Sequence, residues 1–326
     1  ALADPEVWDL CVPVVAGNVA ALRHISGVVG SSLPVIEVSG APFTGKALAE
    51  SPAVYVIECG LPVNPVAFGR ASKEGGEASL AYINEAIDLA LDGQVQATVT
   101  GPINKEAIHA AGSPHPGHTE IFAARTGTKK YAMMLTHGNL RVSHVSTHVS
   151  LRRACDLCKK ERVLETIALT HDALINMGIG RPRIAVAGLN PHAGEDGLFG
   201  DEEINEIRPA VEEARTLGLC VEGPVAPDTV FVKARGGQYD AVVAMYHDQG
   251  HIPLKVAGFE LDPATGTWSS VQGVNLTLGL PIIRVSVDHG TAFGKAGKGT
   301  ANADSMLESI KIAAAMARFK KGKTTL

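Results

Sequence analysis

The sequence predicts an α/β protein built on a mainly parallel sheet with helices on both faces. Apolar runs of strand length alternate along the chain with amphipathic stretches of helix length. Such repeated alternation is typical of parallel sheets, because each crossover between two strands places a helix on a face of the sheet. At 326 residues the chain is long enough to form two domains.

Each predicted element follows from its own pattern of apolar residues. Strands are predicted over residues 11–16, 53–57, 97–100, 132–135, 141–147, 184–189, 241–246 and 282–287. Helices are predicted over residues 76–92, 155–177, 201–217 and 303–320. Residues 259–272 predict a surface hairpin, because Asp262-Pro-Ala-Thr-Gly is a turn sequence between two short arms.

Composition narrows the class of function. The formal charge is −5 without a long run of one sign, so the sequence lacks the basic pattern of a nucleic-acid-binding protein. It also lacks a signal segment and any apolar stretch of about 18 residues, which predicts a soluble protein. The five cysteines, an odd number in a chain of this size, favour a reducing, cytoplasmic location.

Two short motifs are set aside on chemical grounds. Residues 40–46, Gly-Ala-Pro-Phe-Thr-Gly-Lys, approach a phosphate-binding P-loop, but Ala47 replaces the required Ser or Thr and Pro42 removes a backbone donor. Cys155 and Cys158 have the spacing of a redox motif, but we interpret them as an incidental pair at the start of a helix. No Gly-x-Gly-x-x-Gly follows a strand, so any dinucleotide must bind in another way.

Three histidines follow predicted strands in similar surroundings. His148, His192 and His247 each stand where an apolar run gives way to a polar loop. Because the carboxyl ends of parallel strands meet at one edge of a sheet, three imidazoles there predict a catalytic metal site with an open coordination position. The alternative for each histidine is an ordinary hydrogen-bonded loop residue.

A glycine-rich segment, residues 288–302, predicts a ligand-binding loop. Its glycines let a ligand approach the backbone, and its polar side chains suit ribose, phosphate or adenine. Its order, His-Gly-Thr-Ala, Ala-Gly-Lys-Gly and Ala-Asn, resembles the loop with which isocitrate and isopropylmalate dehydrogenases bind NAD. This resemblance implies cofactor contacts at His289, Gly290, Thr291, Ala292 and Asn302. The loop has no arginine to bind a 2′-phosphate, which favours NAD over NADP.

Seven motifs, in order along nearly the whole chain, resemble the 4-hydroxythreonine-4-phosphate dehydrogenase family. They are Thr100-Gly-Pro-Ile-Asn-Lys-Glu, Gly117-His-Thr-Glu, Thr147-His-Val-Ser-Leu, Leu189-Asn-Pro-His-Ala-Gly-Glu, Tyr246-His-Asp-Gln-Gly, Gly273-Val-Asn-Leu-Thr-Leu-Gly-Leu-Pro and Ser286-Val-Asp-His-Gly-Thr-Ala. The resemblance implies a two-lobed fold like that of isocitrate and isopropylmalate dehydrogenases, with the active site in the interdomain cleft. Residues 1–125 and 287–326 would form the first domain. Residues 126–286 would form the second, with the metal histidines and the dimer interface.

The same resemblance implies a role for individual residues. His148, His192 and His247 would hold one divalent metal, with zinc the first choice and cobalt, manganese, nickel or magnesium as alternatives. The active form would be a homodimer whose metal site takes ligands from both subunits. Substrate contacts are implied at His118, Thr119, Lys255, Asn275 and Arg284, and proton transfer is implied for Lys255 or Asp228.

These side chains also have plain structural interpretations. His118 and Thr119 are placed to cap the helix that follows them, and Asp228 is placed to cap another. Lys255 and Arg284 would ordinarily be solvated surface charges. Arg284, however, interrupts an apolar strand pattern, and a buried cation there would favour an anionic partner such as a substrate phosphate or carboxylate.

The implied reaction is an NAD(P)-linked oxidation of a phosphorylated four-carbon hydroxy acid, followed by loss of carbon dioxide. With 4-hydroxy-L-threonine 4-phosphate it would serve pyridoxine biosynthesis and lead to 3-amino-2-oxopropyl phosphate. The segment at 259–272 instead resembles that of a catabolic subgroup acting on D-threonate or D-erythronate 4-phosphate, which would give dihydroxyacetone phosphate.

Two alternatives of another class remain. Phosphate acyltransferases share a similar two-lobed architecture, but they lack this set of histidines. A homologue that binds metal and nucleotide without catalysis is the other alternative. Its support is that family members open with a Gly-Asp-Pro-type loop, and the present sequence starts beyond that position.

Overall fold

The chain folds as two compact units, each assembled from stretches that are far apart in sequence. The structure, a computed structural model, describes residues 1–38, 51–59, 68–264 and 266–324. The first unit comprises Ala1–Thr128 and Leu280–Ala317. The second comprises Lys129–Gly279 and Arg318–Leu326.

The first unit contains two groups of parallel strands. Strands β1 (Val14–Gly17), β2 (Val35–Glu37) and β3 (Val54–Glu58) pair in the order β1-β3-β2. Strand β4 (Ala97–Thr100) pairs with β13 (Ile283–Val287), and Thr98 Oγ1 donates to the Ile283 carbonyl at 3.2 Å. This pair joins the two sequence stretches of the unit.

The helices of the first unit are α1 (Pro5–Leu10), α2 (Val19–Val28), α3 (Lys73–Leu91), α4 (Lys105–Ala110), α5 (His118–Arg125) and the part of α11 (Asp304–Thr324) that precedes Arg318. Helices α1 to α4 begin at polar caps that the sequence supplies locally. Asp4, Asn18, Ser72 and Asn104 each accept a backbone N–H from the first turn of the helix that follows. Ile87, Ile108 and Phe122 pack α3, α4 and α5 together.

The second unit contains a six-stranded arrangement with an antiparallel side. Its strands are β5 (Ala132–His137), β6 (Leu140–His144), β7 (Arg183–Ala187), β8 (Cys220–Val225), β9 (Ala241–Ala244) and β12 (Val274–Leu278), in the order β12-β5-β6-β9-β7-β8. The pairs β6–β9, β7–β9 and β7–β8 are parallel, whereas β12–β5 and β5–β6 are antiparallel. The predicted α/β class with mainly parallel strands is confirmed.

Helices cover both faces of these strands. They are α6 (Leu151–Leu157), α7 (Lys160–Asn176), α8 (Arg208–Thr216), α9 (Pro227–Arg235) and α10 (His247–Gly258). Val186 and Val243 belong to an apolar cluster with residues of α7 and α8. Ala185 and Val242, one position away along the same strands, belong to a second cluster with residues of α9 and α10. The central strands are therefore buried on both faces.

The helix predicted over residues 155–177 is wrong in one respect, because the structure has two helices there. Helix α6 ends at Leu157 and α7 begins at Lys160. Glu206, from a distant turn, accepts the Lys160 backbone N–H and the Lys159 ammonium group, both at 2.8 Å. A carboxylate from a distant part of the chain thus accepts a backbone N–H group that would otherwise be unpaired at the start of α7. The sequence around residues 155–177 gives no sign of this contact.

The predicted hairpin after α10 is confirmed. Strands β10 (Phe259–Asp262) and β11 (Thr267–Val271) pair in antiparallel fashion, with a register shift between Glu260 and Leu261. Among the described residues, no helix is both long enough and apolar enough to cross a membrane.

A substitution at Gly76 on α3 tests how closely α3 packs against α4. A Cβ atom at Gly76 would lie 2.0 Å from the Ala107 carbonyl oxygen of α4, whereas one at Gly75 would meet only Ser72 Oγ at 3.2 Å. We expect Gly76→Ala to lower the free energy of unfolding by about 2 to 3 kcal/mol, and Gly75→Ala to change it by less than about 1 kcal/mol. Urea denaturation of both variants measures the difference. Equal effects would contradict this packing.

Candidate active site

The parallel strands of the second unit bring three histidine-bearing loops to one edge. His148 follows β6, His192 follows β7, and His247 follows β9 as the first residue of α10. The strands are neighbours in the order β6-β9-β7, so their carboxyl ends lie side by side. The His148 and His247 rings are 5.8 Å apart between centroids.

His192 lies in a different environment from the other two. Its ring centroid is 6.4 Å from that of Phe199, and its loop is the 3₁₀ turn Pro191–Gly197. Among the residues that the structure describes, no three His, Cys, Asp or Glu side chains lie close enough to hold a metal ion. Within the described residues of a single chain, therefore, His148 and His247 approach each other, but the three histidines do not come close enough together to bind one metal ion.

His247 is oriented by two neighbours. Its Nδ1 lies 2.6 Å from Asp248 Oδ1, so the imidazole donates Nδ1–H to the carboxylate and keeps Nε2 for another partner. The His251 ring stacks on it with centroids 3.6 Å apart, and His251 Nδ1 donates to the His247 carbonyl at 2.9 Å. Both rings are held on the first turns of α10.

Two further histidines, His144 and His251, lie close to His148 and His247, and sequence reasoning missed both of them. His144 ends β6, is buried, and places its ring centroid 4.7 Å from that of His251. Burial, reinforced by His251, lowers the pKa of His144 to about 3, so the imidazole is neutral. Its Nε2 is buried without a hydrogen-bond partner among the described residues. The signal for both was the four-residue spacing from His148 and from His247.

Arg284 forms the centre of a polar site in the first unit. The side chain, on β13, is 4% exposed, and its Nη2 donates to Thr100 Oγ1 on β4 at 2.9 Å. The guanidinium carbon lies 5.5 Å from the centre of the Phe122 ring. Burial lowers the pKa of Arg284 to about 10, although the negative charge of Glu120 acts in the other direction and raises it. The surface-charge interpretation of Arg284 is therefore wrong.

His118 and Thr119 open helix α5 near Arg284. The N-cap of α5 is Gly117, which makes no side-chain cap bond, so the capping interpretation of these two residues finds no support. Burial, together with the Arg284 charge, lowers the pKa of His118 to about 3. His118 is therefore a neutral hydrogen-bonding group beside a buried cation.

The other predicted substrate residues lie in the second unit. Lys255 Nζ on α10 is 4.2 Å from the centre of the Phe259 ring. Asn275 on β12 has a buried Oδ1 without a hydrogen-bond partner within the described ranges. Asp228 is exposed in the first turn of α9, where no side-chain cap bond is present.

The predicted cofactor loop follows β13 in the first unit. Ala292 has a left-handed φ of 47° and precedes a short 3₁₀ turn, Phe293–Lys295. His289, Gly290, Ala292 and Asn302 are exposed, and Thr291 is half-buried. Asn302 Oδ1 accepts the Asp304 N–H at 2.6 Å, which ties the loop to the start of α11.

Of the two rejected motifs, residues 40–46 lie outside the described residues. Cys155 and Cys158 are both free, and the Cys158 thiol lies 3.6 Å from the sulfur of Met245 inside the core. Burial raises the pKa of Cys158 to about 12, so the thiol is un-ionised and suited to packing.

Comparison with known proteins identifies the family. The family described as "Pyridoxal phosphate biosynthetic protein PdxA" matches residues 9–313. The chain belongs to the PdxA family.

The similar PdxA relatives carry two different substrate names. A 4-hydroxythreonine-4-phosphate dehydrogenase of Desulfosudis oleivorans is 46% identical over 315 residues, covering 96% of this chain and 89% of the relative. A D-threonate 4-phosphate dehydrogenase of Salmonella typhimurium is 45% identical over 306 residues, covering 93% and 89%. The solved 4-hydroxythreonine-4-phosphate dehydrogenase from Burkholderia phymatum is 42% identical, with a TM-score of 0.81 over 97% of this chain and 92% of its own.

Membership of the PdxA family tests the predictions of family, fold and class of enzyme. The resemblance based on the seven motifs, the α/β dehydrogenase fold and the dehydrogenase class are confirmed. Because these PdxA relatives are named dehydrogenases, the acyltransferase alternative finds no support among them. The roles of individual residues stay predictions.

The low pKa of His118 predicts acid sensitivity of the fold. Between about pH 6.5 and pH 3 the unfolded chain binds a proton at His118 that the folded chain does not, so stability is lost as pH falls through this range. We expect His118 to contribute about 2 kcal/mol to the loss of unfolding free energy between pH 7 and pH 5. Denaturation at both pH values should show a smaller loss in His118→Gln. An equal loss in both proteins would refute this account.

Proposed function

We propose that this protein is a metal-dependent, NAD-linked dehydrogenase that oxidises and decarboxylates a phosphorylated four-carbon hydroxy acid. The observation that carries the proposal is the placement of His148, His192 and His247 after three adjacent parallel strands. Imidazoles at one sheet edge are suitable ligands for a catalytic cation. Relatives named for four-carbon phosphate substrates support the substrate class.

The donor set fits a divalent metal. His247 has its Nδ1–H anchored on Asp248, which is the usual second interaction of a metal-binding histidine. Zinc suits three imidazoles best, and cobalt, nickel and manganese are alternatives, with magnesium the poorest match. When bound, such a metal supplies a positive charge that stabilises a substrate hydroxyl in its deprotonated form.

The buried polar groups are assigned to the substrate. Arg284, held by Thr100, would bind a phosphate or carboxylate, and neutral His118 and Thr119 would donate hydrogen bonds to the same anion. Asn275 Oδ1, buried without a protein partner in the described part of the chain, would accept a substrate hydroxyl.

Proton and hydride transfers follow from these assignments. A bound nicotinamide would supply the hydride acceptor for the alcohol carbon, and Lys255 or Asp228 would take the hydroxyl proton. After the carboxylate on the adjacent carbon is lost as carbon dioxide, that carbon would take up a proton in its place. Lys255 is the stronger candidate, because it is half-buried over Phe259 whereas Asp228 is exposed.

The cofactor is assigned to residues 288–302. His289, Gly290, Ala292 and Asn302 are exposed on this loop and available to a dinucleotide. The loop carries lysines but no arginine, which favours NAD over NADP.

The hairpin β10–β11 favours the sugar acid substrates. It begins directly after α10, the helix that carries both His247 and Lys255. An added element at this place can alter the surroundings of those two side chains. We therefore propose D-threonate or D-erythronate 4-phosphate as the preferred substrate, with 4-hydroxy-L-threonine 4-phosphate as the second candidate.

The proposed partner is a second copy of this chain. Ile252 and Val256, one turn apart on α10, are 59% and 77% exposed, and Leu261 on the adjoining hairpin is 54% exposed. Exposed apolar side chains on the helix that begins with His247 suit a subunit interface. A metal site completed by both subunits agrees with a single chain in which the three histidines are not assembled. A cytoplasmic location is part of the proposal.

The metal assignment is tested by His192→Ala. We expect loss of the bound metal and of turnover, with the unfolding free energy changed by less than about 1 kcal/mol, because a loop side chain contributes little to the core. Metal content per subunit, measured by mass spectrometry, provides the result, with His171→Ala on α7 as the matched control. Full metal occupancy in His192→Ala would remove His192 from the site.

The substrate is tested by NADH formation with added zinc or cobalt. D-erythronate, D-threonate and 4-hydroxy-L-threonine 4-phosphates are compared at equal concentrations. We expect kcat/KM to be about 10-fold or more higher for one of the sugar acids, which is a difference of about 1.4 kcal/mol in transition-state binding. Preference for the amino acid would assign the enzyme to the second candidate. No turnover on any of the three would favour a non-catalytic homologue.

A further inference from the structure

Glu203 is a buried carboxylate that the proposed chemistry does not use. It is 1% exposed and begins a single π-helical turn, Glu203–Ile207. Its Oε1 accepts the backbone N–H groups of Leu189 and Asn190, both at 2.7 Å. Its Oε2 accepts Asn190 Nδ2 at 2.9 Å. A buried charge is costly, and these three donors offset that cost.

The loop next to these donors has an uncommon backbone. His192, Ala193, Glu195 and Asp196 have φ values of 53°, 55°, 44° and 53°, and Gly194 between them has 79°. The left-handed region is disfavoured for residues with a Cβ atom, and consecutive residues there are rare. The turn that carries His192 therefore depends on contacts outside itself.

Glu203 supplies those contacts. A Cβ atom at Gly194 would lie 2.7 Å from Glu203 Oε2, and one at Gly188 would lie 3.1 Å from Oε1. The carboxylate thus fits closely between the residue that follows β7 and the middle of the left-handed turn. It therefore contacts residues on both sides of His192 in the chain.

We propose that Glu203 is a positioning residue that holds His192 ready to bind metal. The carboxylate fixes Leu189 and Asn190 ahead of His192 and contacts Gly194 behind it. The left-handed turn is then formed before the metal arrives, and metal binding does not have to supply the ordering of this loop. This inference rests on the proposed function, because it takes His192 to be a metal ligand.

Glu203→Gln tests the proposal, and Glu206→Gln is its matched control. Glutamine has the shape of glutamate, but its amino group would face donors that now meet an oxygen. Glu206 lies on the same turn and also accepts a backbone N–H, that of Lys160 at 2.8 Å, but its hydrogen bonds run to Lys159 and Lys160 and not to the His192 loop. A general loss of stability in this region would therefore affect both variants.

The first measurement is the affinity of the metal-free dimer for Co²⁺ alone, followed by the visible absorption of the bound ion. We expect Glu203→Gln to weaken binding by about 10-fold or more and Glu206→Gln by less than about 2-fold. In Glu203→Gln, saturating metal should restore kcat to within about 3-fold of the wild type, because the ligand itself is still present. Unchanged affinity, or an equal loss in both variants, would overturn the proposal.

The second measurement separates this proposal from the metal assignment itself. Hydrogen exchange of residues 189–200 in the metal-free protein should be faster in Glu203→Gln and unchanged in Glu206→Gln. Unchanged exchange in Glu203→Gln would overturn the positioning role, whatever His192→Ala shows. Metal retained in His192→Ala would instead overturn the metal assignment, while faster exchange would still show that Glu203 holds the loop.

Discussion

The burial of β6, β9 and β7 on both faces is the constraint on which the candidate site depends. Alternate residues of β7 and β9 pack into two different apolar clusters, and β6 adds Leu140 and Val142 to one of them. A shift of one residue in β7 or β9 would therefore exchange its two faces. The parallel register is thereby fixed, and the three loops that follow the strands must leave the sheet side by side. The placement of His148, His192 and His247 at one edge of the sheet is a consequence of this packing, because nothing in their own loops would bring them there.

Buried charges are used in two different ways in this fold. Glu203 is satisfied by groups of its own chain, so its charge acts on the backbone and on the loop that carries His192. Arg284 is held beside Thr100 and Phe122 on the first unit, where burial already lowers its pKa. An anion bound there would interact more strongly with Arg284 than in water, because the surroundings have low polarity. The first arrangement maintains shape, and the second suits recognition of a ligand.

Neutral imidazoles are the common electrostatic feature of both polar regions. Burial keeps His118 uncharged beside Arg284, and burial keeps His144 uncharged behind His251. A protonated imidazole at His118 would repel the Arg284 guanidinium. The low pKa values thus preserve the ability of both imidazoles to accept a hydrogen bond at neutral pH.

The sequence by itself determined the α/β class, the family, the hairpin after α10 and the strand ends that carry the three histidines. These features depend on local alternation, turn residues and ordered motifs, which a single chain displays in full. Only the tertiary structure decided that Arg284 is buried, that residues 155–177 form two helices, and that His144 and His251 lie beside His247. Glu203 was equally hidden, because its partners are 13 and 14 residues away. Each of these depends on contacts between distant segments, and hydrophobic periodicity contains no information about which distant polar group a side chain will meet.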